Sequence, residues 1–312
     1  MTETAFFDTL LVVTMIGLAI WMIVVRDVFA AIIGFMAFGL LLSLVWLRIE
    51  APDVGLTEIA VGGGATGVML LRARGLASAG DAMNAVPSVP FRVLVGVLAG
   101  AVALFLGALV VFPPAVAPTL APLAAEHLAS TGVGNPITAV LMAYRAFDTF
   151  LETVVVLLAL IGVWSLTPDG AWGARPRVAS ADVPAPLLLL AQWLVPLGIV
   201  IGIYITWVGA DEPGGKFQGA TILAAMWMLV MMAGLRSAPA LSSRRLRIAL
   251  VVGPAIFIAI GVSGFHFAGA FLAYPDGLAK PLILAIEAGL LISIAAMLGM
   301  LLAGPPLEGD RP

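Results

Sequence analysis

The sequence predicts an all-α polytopic membrane protein with about nine transmembrane helices, its N-terminus outside and its C-terminus cytoplasmic. Three observations carry this. Long apolar stretches recur along the whole chain. Charged residues are only 11%, against about 25% in soluble domains. The basic residues fall almost entirely in every second gap between apolar stretches. A bilayer core about 30 Å thick needs roughly 20 helical residues to cross it.

Taken in order, uncharged runs at residues 9–25 and 28–47 give the first two spans. The first lacks a basic lead-in and a small-residue cleavage pattern, so it is expected to remain a span. The third, 56–71, contains Glu58. The fourth is 93–112; the fifth, 148–167, contains Asp148 and Glu152. Residues 183–208, 217–235 and 248–265 give spans six to eight, and 281–304, with Glu287, gives the ninth.

The gaps after spans one, three, five and seven, with the C-terminal tail, hold eleven of the fifteen Lys and Arg: Arg26, Arg72, Arg74, Arg92, Arg175, Arg177, Arg236, Arg244, Arg245, Arg247 and Arg311. Arg48, Arg145, Lys216 and Lys280 are on the other side. Cytoplasmic loops carry the Lys/Arg excess, which orients the chain in a cytoplasmic membrane. The gap at 72–92 reads as a cytoplasmic linker. The outward gap at 113–147 begins with prolines and has room for a short surface helix around 120–129. The Pro- and Gly-bearing stretch 168–185 divides a five-helix domain (1–167) from a four-helix domain (186–304). Residues 305–312 are expected to be a disordered tail.

No cysteine is present, so disulfides, iron–sulfur clusters and thiolate metal sites are excluded from this chain. His127 and His266 are the only histidines, fewer than haem or catalytic zinc usually require. The glycine-rich stretches do not join a strand to a helix, as a phosphate-binding loop does. No cofactor, metal, catalytic site or nucleic-acid partner is expected; the lipid bilayer is.

Five charged residues are candidates for an ion or proton path. Asp148 and Glu152 stand four apart and share a helix face. They form either a carboxylate pair at the mouth of a path or a hydrated interfacial pair balanced by Arg145. Glu58 is followed by Gly62, Gly63, Gly64 and Gly67, which lower helix propensity and permit close helix contact. That segment is either a switchable helix with an acid at its entrance or a tight packing face. Glu287 lies about 10 Å into its span at the helical rise. No basic residue is read at its depth, so it is protonated, faces a polar cavity or meets another subunit. Lys216 follows Gly214 and Gly215, with Asp211 and Glu212 nearby; this is either a charged turn or a cluster lining a cation route.

Three segments resemble a known family. Residues 51–64, APDVGLTEIAVGGG, are similar to the PDVALTEAAVGAG segment in the C-terminal part of the Mrp antiporter A subunit and in MbhD of membrane-bound hydrogenases. Residues 135–152, NPITAVLMAYRAFDTFLE, resemble the NVILVDFRGFDTxGE motif of the next part of that subunit, equivalent to MbhE. Residues 202–220, GIYITWVGADEPGGKFQGA, resemble the YxxxHGHxxPGGGFQGG motif of the Mrp B subunit, equivalent to MbhF. The order is that of the family, and the resemblance covers nearly the whole chain.

The resemblance implies a fusion of an A-subunit tail (MbhD/MbhE-like) with a B subunit (MnhB/MrpB-like). Glu58, Asp148 and Glu152 carry over as ion-path residues, and Arg145 and Phe147 as motif positions. Pro213, Gly214, Gly215, Phe217, Gln218 and Gly219 carry over from the B-subunit hairpin. The first five helices also resemble a small membrane subunit of respiratory complex I, which implies a helical bulge at residues 62–67. The chain departs from the pattern at Val208 and Ala210, where the family has histidines, and at Lys216, where it has a third glycine. Ala143, Ala146 and Leu151 replace an aspartate and two glycines. The resemblance therefore carries no path through those histidines or that aspartate.

The implied function is a non-catalytic membrane subunit of a multisubunit Na+/H+ antiporter, working beside large antiporter-like subunits and other Mrp/Mbh-like chains. Two alternatives use the same parts: the membrane arm of a redox-driven, hydrogenase-type pump, and a repurposed uptake complex such as one for inorganic carbon.

Overall fold

A computed structural model describes residues 3–77, 88–115, 118–178 and 182–306. Most of the tail expected to be disordered, and parts of both linkers expected to be cytoplasmic, lie outside the described residues. The described residues are helical, with no strand among them. The long helices are α1 (Glu3–Val24), α2 (Val28–Arg48), α5 (Val89–Val111), α8 (Ala146–Trp164), α9 (Ala185–Val208), α10 (Lys216–Met232), α11 (Arg244–Phe267) and α12 (Ala279–Ala303). The third span is composite: α3 (Pro52–Thr57), a π segment (Glu58–Ala65) and α4 (Thr66–Ala77) run on without a break. Between α5 and α8, α6 (Ala121–Glu126) and a 3-10 turn precede α7 (Pro136–Ala139), which leads through a second π segment (Val140–Tyr144) into α8.

Among the described residues, eight helices are long and apolar enough to cross a membrane. The seventh expected span forms only the 17 residues of α10. It ends early because Gly234 takes a left-handed conformation (φ 68°) and the Leu235 N–H returns to the Val230 carbonyl at 3.1 Å, a glycine-terminated cap.

Caps and prolines set the other boundaries. Asp27 accepts the Ala30 N–H at 2.8 Å to start α2. Asn135 accepts the Ile137 N–H at 2.8 Å, with Pro136 at the first helical position of α7, where its missing N–H costs nothing. Small residues let helices touch. A side chain at Gly39 of α2 would come within 3.0 Å of the Gly63 Cα in the π segment. Gly253 of α11 lies against Gly289 of α12, and there the Ser293 hydroxyl enters the α11 ladder. It accepts from the Gly253 N–H and donates to the Ala249 carbonyl, both at 2.8 Å.

The core centres on α12, where Ile283, Ile286, Leu290, Ile294 and Met297 are fully buried. Phe257 of α11 and Met142 of the second π segment pack into the same region. By contrast, α5 has no buried residue. With no aqueous alternative inside a bilayer, such a helix rests on lipid or on another protein.

Candidate functional site

The hairpin between α9 and α10 builds the site. The Gly215 N–H donates to the Ile205 carbonyl at 3.1 Å, folding residues 209–215 back onto the end of α9. Gly214 and Gly215 have φ values of 156° and 143°, and a side chain on Gly214 would collide with the Ile205 carbonyl. Only glycine fits there. The turn sends the chain inward, so Lys216 opens α10 at 2% exposure.

The segment between α5 and α8 docks onto this hairpin. Gly134 and Asn135 both donate their backbone N–H to the Ala210 carbonyl, at 2.9 and 3.0 Å. The Thr138 hydroxyl donates to the Gly209 carbonyl at 2.5 Å. The third span docks from the other side. The Asp53 carboxylate accepts the Gly214 N–H at 3.0 Å and the Asn135 amide at 3.3 Å. The Gln218 amide donates to the Thr57 hydroxyl at 3.0 Å.

Between these pieces lies a cavity of about 410 Å³ whose charged lining is Asp53, Glu152, Lys216 and Glu287. It has room for several water molecules at roughly 30 Å³ each. Glu287 is 2% exposed, and its Oε2 has no hydrogen-bond partner among the described residues. The Lys216 ammonium lies 5.3 Å from the centroid of the Phe217 ring. Neither Lys216 nor Glu287 forms an ion pair among the described residues. Two buried, oppositely ionisable groups held apart around a cavity with room for water can exchange protons through it, a common use of ionisable groups within a membrane.

The structure thus brings together Glu152, Lys216 and Glu287, and places Glu58 and Asp148 elsewhere. Asp148 pairs with Arg145 at 2.6 Å on an exposed surface. Glu58 opens the first π segment, half-buried, its carboxylate folded over Gly62 and close to Gly39. The π segment covers Glu58–Ala65, so Gly62, Gly63 and Gly64 lie inside it and Gly67 is already in α4. Gln218 and Gly219 are buried on α10, Phe217 is half-buried and packs on the core, while Pro213 and Phe147 are exposed. The reading that no basic residue shares the depth of Glu287 is corrected by Lys216. Sequence position put that lysine at the outer start of a span, but the hairpin turns it inward.

Four contributors escaped the sequence reading: Asp53, Asn135, Thr138 and Tyr274. Asp53 and Asn135 carried a signal, since each adjoins a proline at a helix start. The Tyr274 hydroxyl donates to the Met142 carbonyl at 2.8 Å, one freed by the second π segment, while Thr149 donates to the Leu141 carbonyl at 2.7 Å. Burial, and after it the charge of Glu287, push the Tyr274 phenol above its usual range. At the exposed rim, Lys280 donates to Asp211 at 2.5 Å and holds that carboxyl below its usual range. Lys280 therefore serves Asp211, on the surface.

Comparison with known families places this geometry. The MbhD family model, which describes a component of MBH, matches residues 13–75. The model described as a domain related to the MnhB subunit of Na+/H+ antiporter matches residues 186–304. Two stretches of the chain, in tandem, are thus similar to MbhD and to the MnhB-related domain. The cavity lies where the two matched stretches meet: the MbhD-like stretch supplies Asp53 and Thr57, the MnhB-like stretch supplies Lys216, Gln218 and Glu287, and Thr138 and Glu152 come from the residues between. No curated protein sequence matches the chain.

Two solved structures share the fold. One is the Mrp complex from Dietzia sp. DQ12-45-1b, at a TM-score of 0.73 and 22% identity, over 97% of this chain and 35% of the matched chain. The other is the membrane-bound sulfane sulfur reductase (MBS), an archaeal respiratory membrane complex, at a TM-score of 0.57 and 22% identity, over 68% of this chain and 97% of the matched chain. The chain spans about a third of the length of the Mrp chain it matches.

Proposed function

We propose that the chain is a membrane subunit of a multisubunit Na+/H+ antiporter in a bacterial cytoplasmic membrane, with its N-terminus outside and its C-terminus cytoplasmic. Its two working units are residues 1–167 and 186–304. It operates beside large antiporter-like subunits and small Mrp-type chains and has no catalytic site of its own. The observation that carries the reading is the placement of buried Lys216 and Glu287, with Glu152, around one cavity where the two matched stretches meet. Protons step between Glu152, Lys216 and Glu287 through water in that cavity. The resulting change in local charge biases ion movement through a partner subunit. Glu58 and Asp148 stand as outer residues of the same path.

The test is reconstitution of the purified complex into vesicles, with proton flux followed by a pH-sensitive dye and 22Na+ uptake measured alongside. Lys216→Gln and Glu287→Gln are each expected to abolish coupled flux while the subunits still co-purify. Full transport by either variant sinks the proposal.

A second reading, the membrane arm of a redox-driven complex, is favoured by the likeness to the sulfane sulfur reductase chain. Co-purification of iron–sulfur proteins with the tagged chain separates the two.

A further inference from the structure

A second cavity of about 800 Å³ lies beside the first. It follows α10 from Gln218, which lines both cavities, to Met232 at the other end of the helix. At the helical rise that stretch is on the order of 20 Å long. Its walls include Met36 of α2, Ile59 of the π segment, Val68 of α4, and Ile222, Met226 and Leu229 of α10. Charge enters the lining only at Arg72 of α4, where the guanidinium donates to the Leu302 carbonyl at the end of α12. A guanidinium carries five N–H donors, and no carboxylate among the described residues pairs with this one. Arg72 is at the end of the bundle where the chain's arginines gather.

The lining decides between occupants: it is apolar along α10, with one guanidinium at its end, and suits a hydrocarbon chain that ends in an anionic group. An apolar slot with one fixed polar group is the usual anatomy of a small-ligand site. A basic group between helices at the cytoplasmic level draws anionic headgroups, and guanidinium pairs strongly with phosphate. We infer that this groove binds one anionic phospholipid, its acyl tail along α10 and its phosphate on Arg72. The inference stands independently of the antiporter reading.

The full chain, purified in mild detergent, is mixed with equal amounts of dioleoyl phosphatidylglycerol and dioleoyl phosphatidylcholine and examined by native mass spectrometry. The unaltered chain is expected to retain one phosphatidylglycerol in preference to phosphatidylcholine. Arg72→Gln is expected to lower phosphatidylglycerol retention about fivefold, and Arg72→Lys to keep most of it. Ala225→Trp, on the open wall of the groove, is expected to exclude both lipids without touching the core. Equal phosphatidylglycerol retention by Arg72→Gln overturns the headgroup assignment. Undiminished lipid binding by Ala225→Trp overturns the groove, and that variant decides the matter even if Arg72→Gln fails to fold. In the assembled complex, Ala225→Cys is the sole cysteine of the chain. Its cross-linking to a partner polypeptide instead of a photoactivatable phosphatidylglycerol also overturns the inference.

Discussion

The Asp53 carboxylate accepts the backbone N–H of Gly214 at 3.0 Å, across 161 positions of sequence. This bond ties the start of the third span to the hairpin that turns Lys216 inward. The same carboxylate holds the Asn135 amide at 3.3 Å, so three distant segments meet on one side chain. The cavity keeps its shape because that junction is fixed.

Asp53→Ala is therefore expected to loosen the site without removing any group proposed to carry protons. It leaves the half-buried Gly214 N–H without its acceptor, a loss of about 1–3 kcal/mol. Asp53→Asn keeps one acceptor oxygen and should lose less. Thermal unfolding of the purified chain in detergent measures this. Equal melting temperatures for Asp53→Ala and the unaltered chain would show that the bond contributes nothing.

Lys216 and Glu287 are expected to be coupled in stability even though they form no ion pair. Neutralising one leaves the other as a buried ionisable group without its nearby opposite charge, which is costly. Neutralising both removes two charges from a low-dielectric interior. The double variant Lys216→Gln/Glu287→Gln should thus unfold at a temperature nearer the unaltered chain than either single variant. A double-mutant cycle reads the coupling directly, and simple additivity would refute it.

Much of this architecture was legible in sequence because a bilayer imposes a strong signal. Runs of about 20 apolar residues rarely mean anything but a membrane span, and the described helices follow them closely from α1 to α12. Three ordered motifs also located the hairpin and the glycine-rich third span. The depth of Lys216 was not legible. It depends on a reversal at Gly214 and Gly215, and hydropathy cannot tell a surface turn from one that folds inward. Nor was Asp53: its partners lie 82 and 161 residues away. Asp148 beside Glu152 shows the opposite limit. Spacing put both on one helix, but only the packing of α8 against α12 decides that Glu152 borders the cavity while Asp148 faces Arg145.

Asp211 gives a pH-dependent contact at the rim. The hydrogen bond from Lys280 lowers the Asp211 carboxyl below its ordinary 3.8. A depressed carboxyl stabilises the folded state above its unfolded value, and that contribution is lost as pH falls through the folded value. The contact is thus fully present at neutral pH and disappears only below about pH 3.8. Lys280→Met should raise the pH at which Asp211 protonates. Carboxyl chemical shifts of labelled aspartate across an acid titration would register the change, and an unmoved Asp211 midpoint would dismiss it.

Tyr274 tests whether the second π segment depends on the MnhB-related domain. A π segment frees carbonyls that an α-helix would satisfy internally, and in a membrane water does not replace the lost partner. The Tyr274 hydroxyl supplies a donor to Met142 from a loop more than a hundred residues away, at 2.8 Å. Tyr274→Phe keeps the ring and removes that donor, leaving the carbonyl of buried Met142 unsatisfied at a cost of about 1–3 kcal/mol. Hydrogen exchange should then rise around residues 140–146, the stretch that sets the entry of α8 and hence the position of Glu152. Thr149→Val removes the neighbouring donor to Leu141 and should act on the same stretch. If Tyr274→Phe leaves exchange there unchanged, the segment is held by its own helix, and the loop after α11 plays no part in placing Glu152.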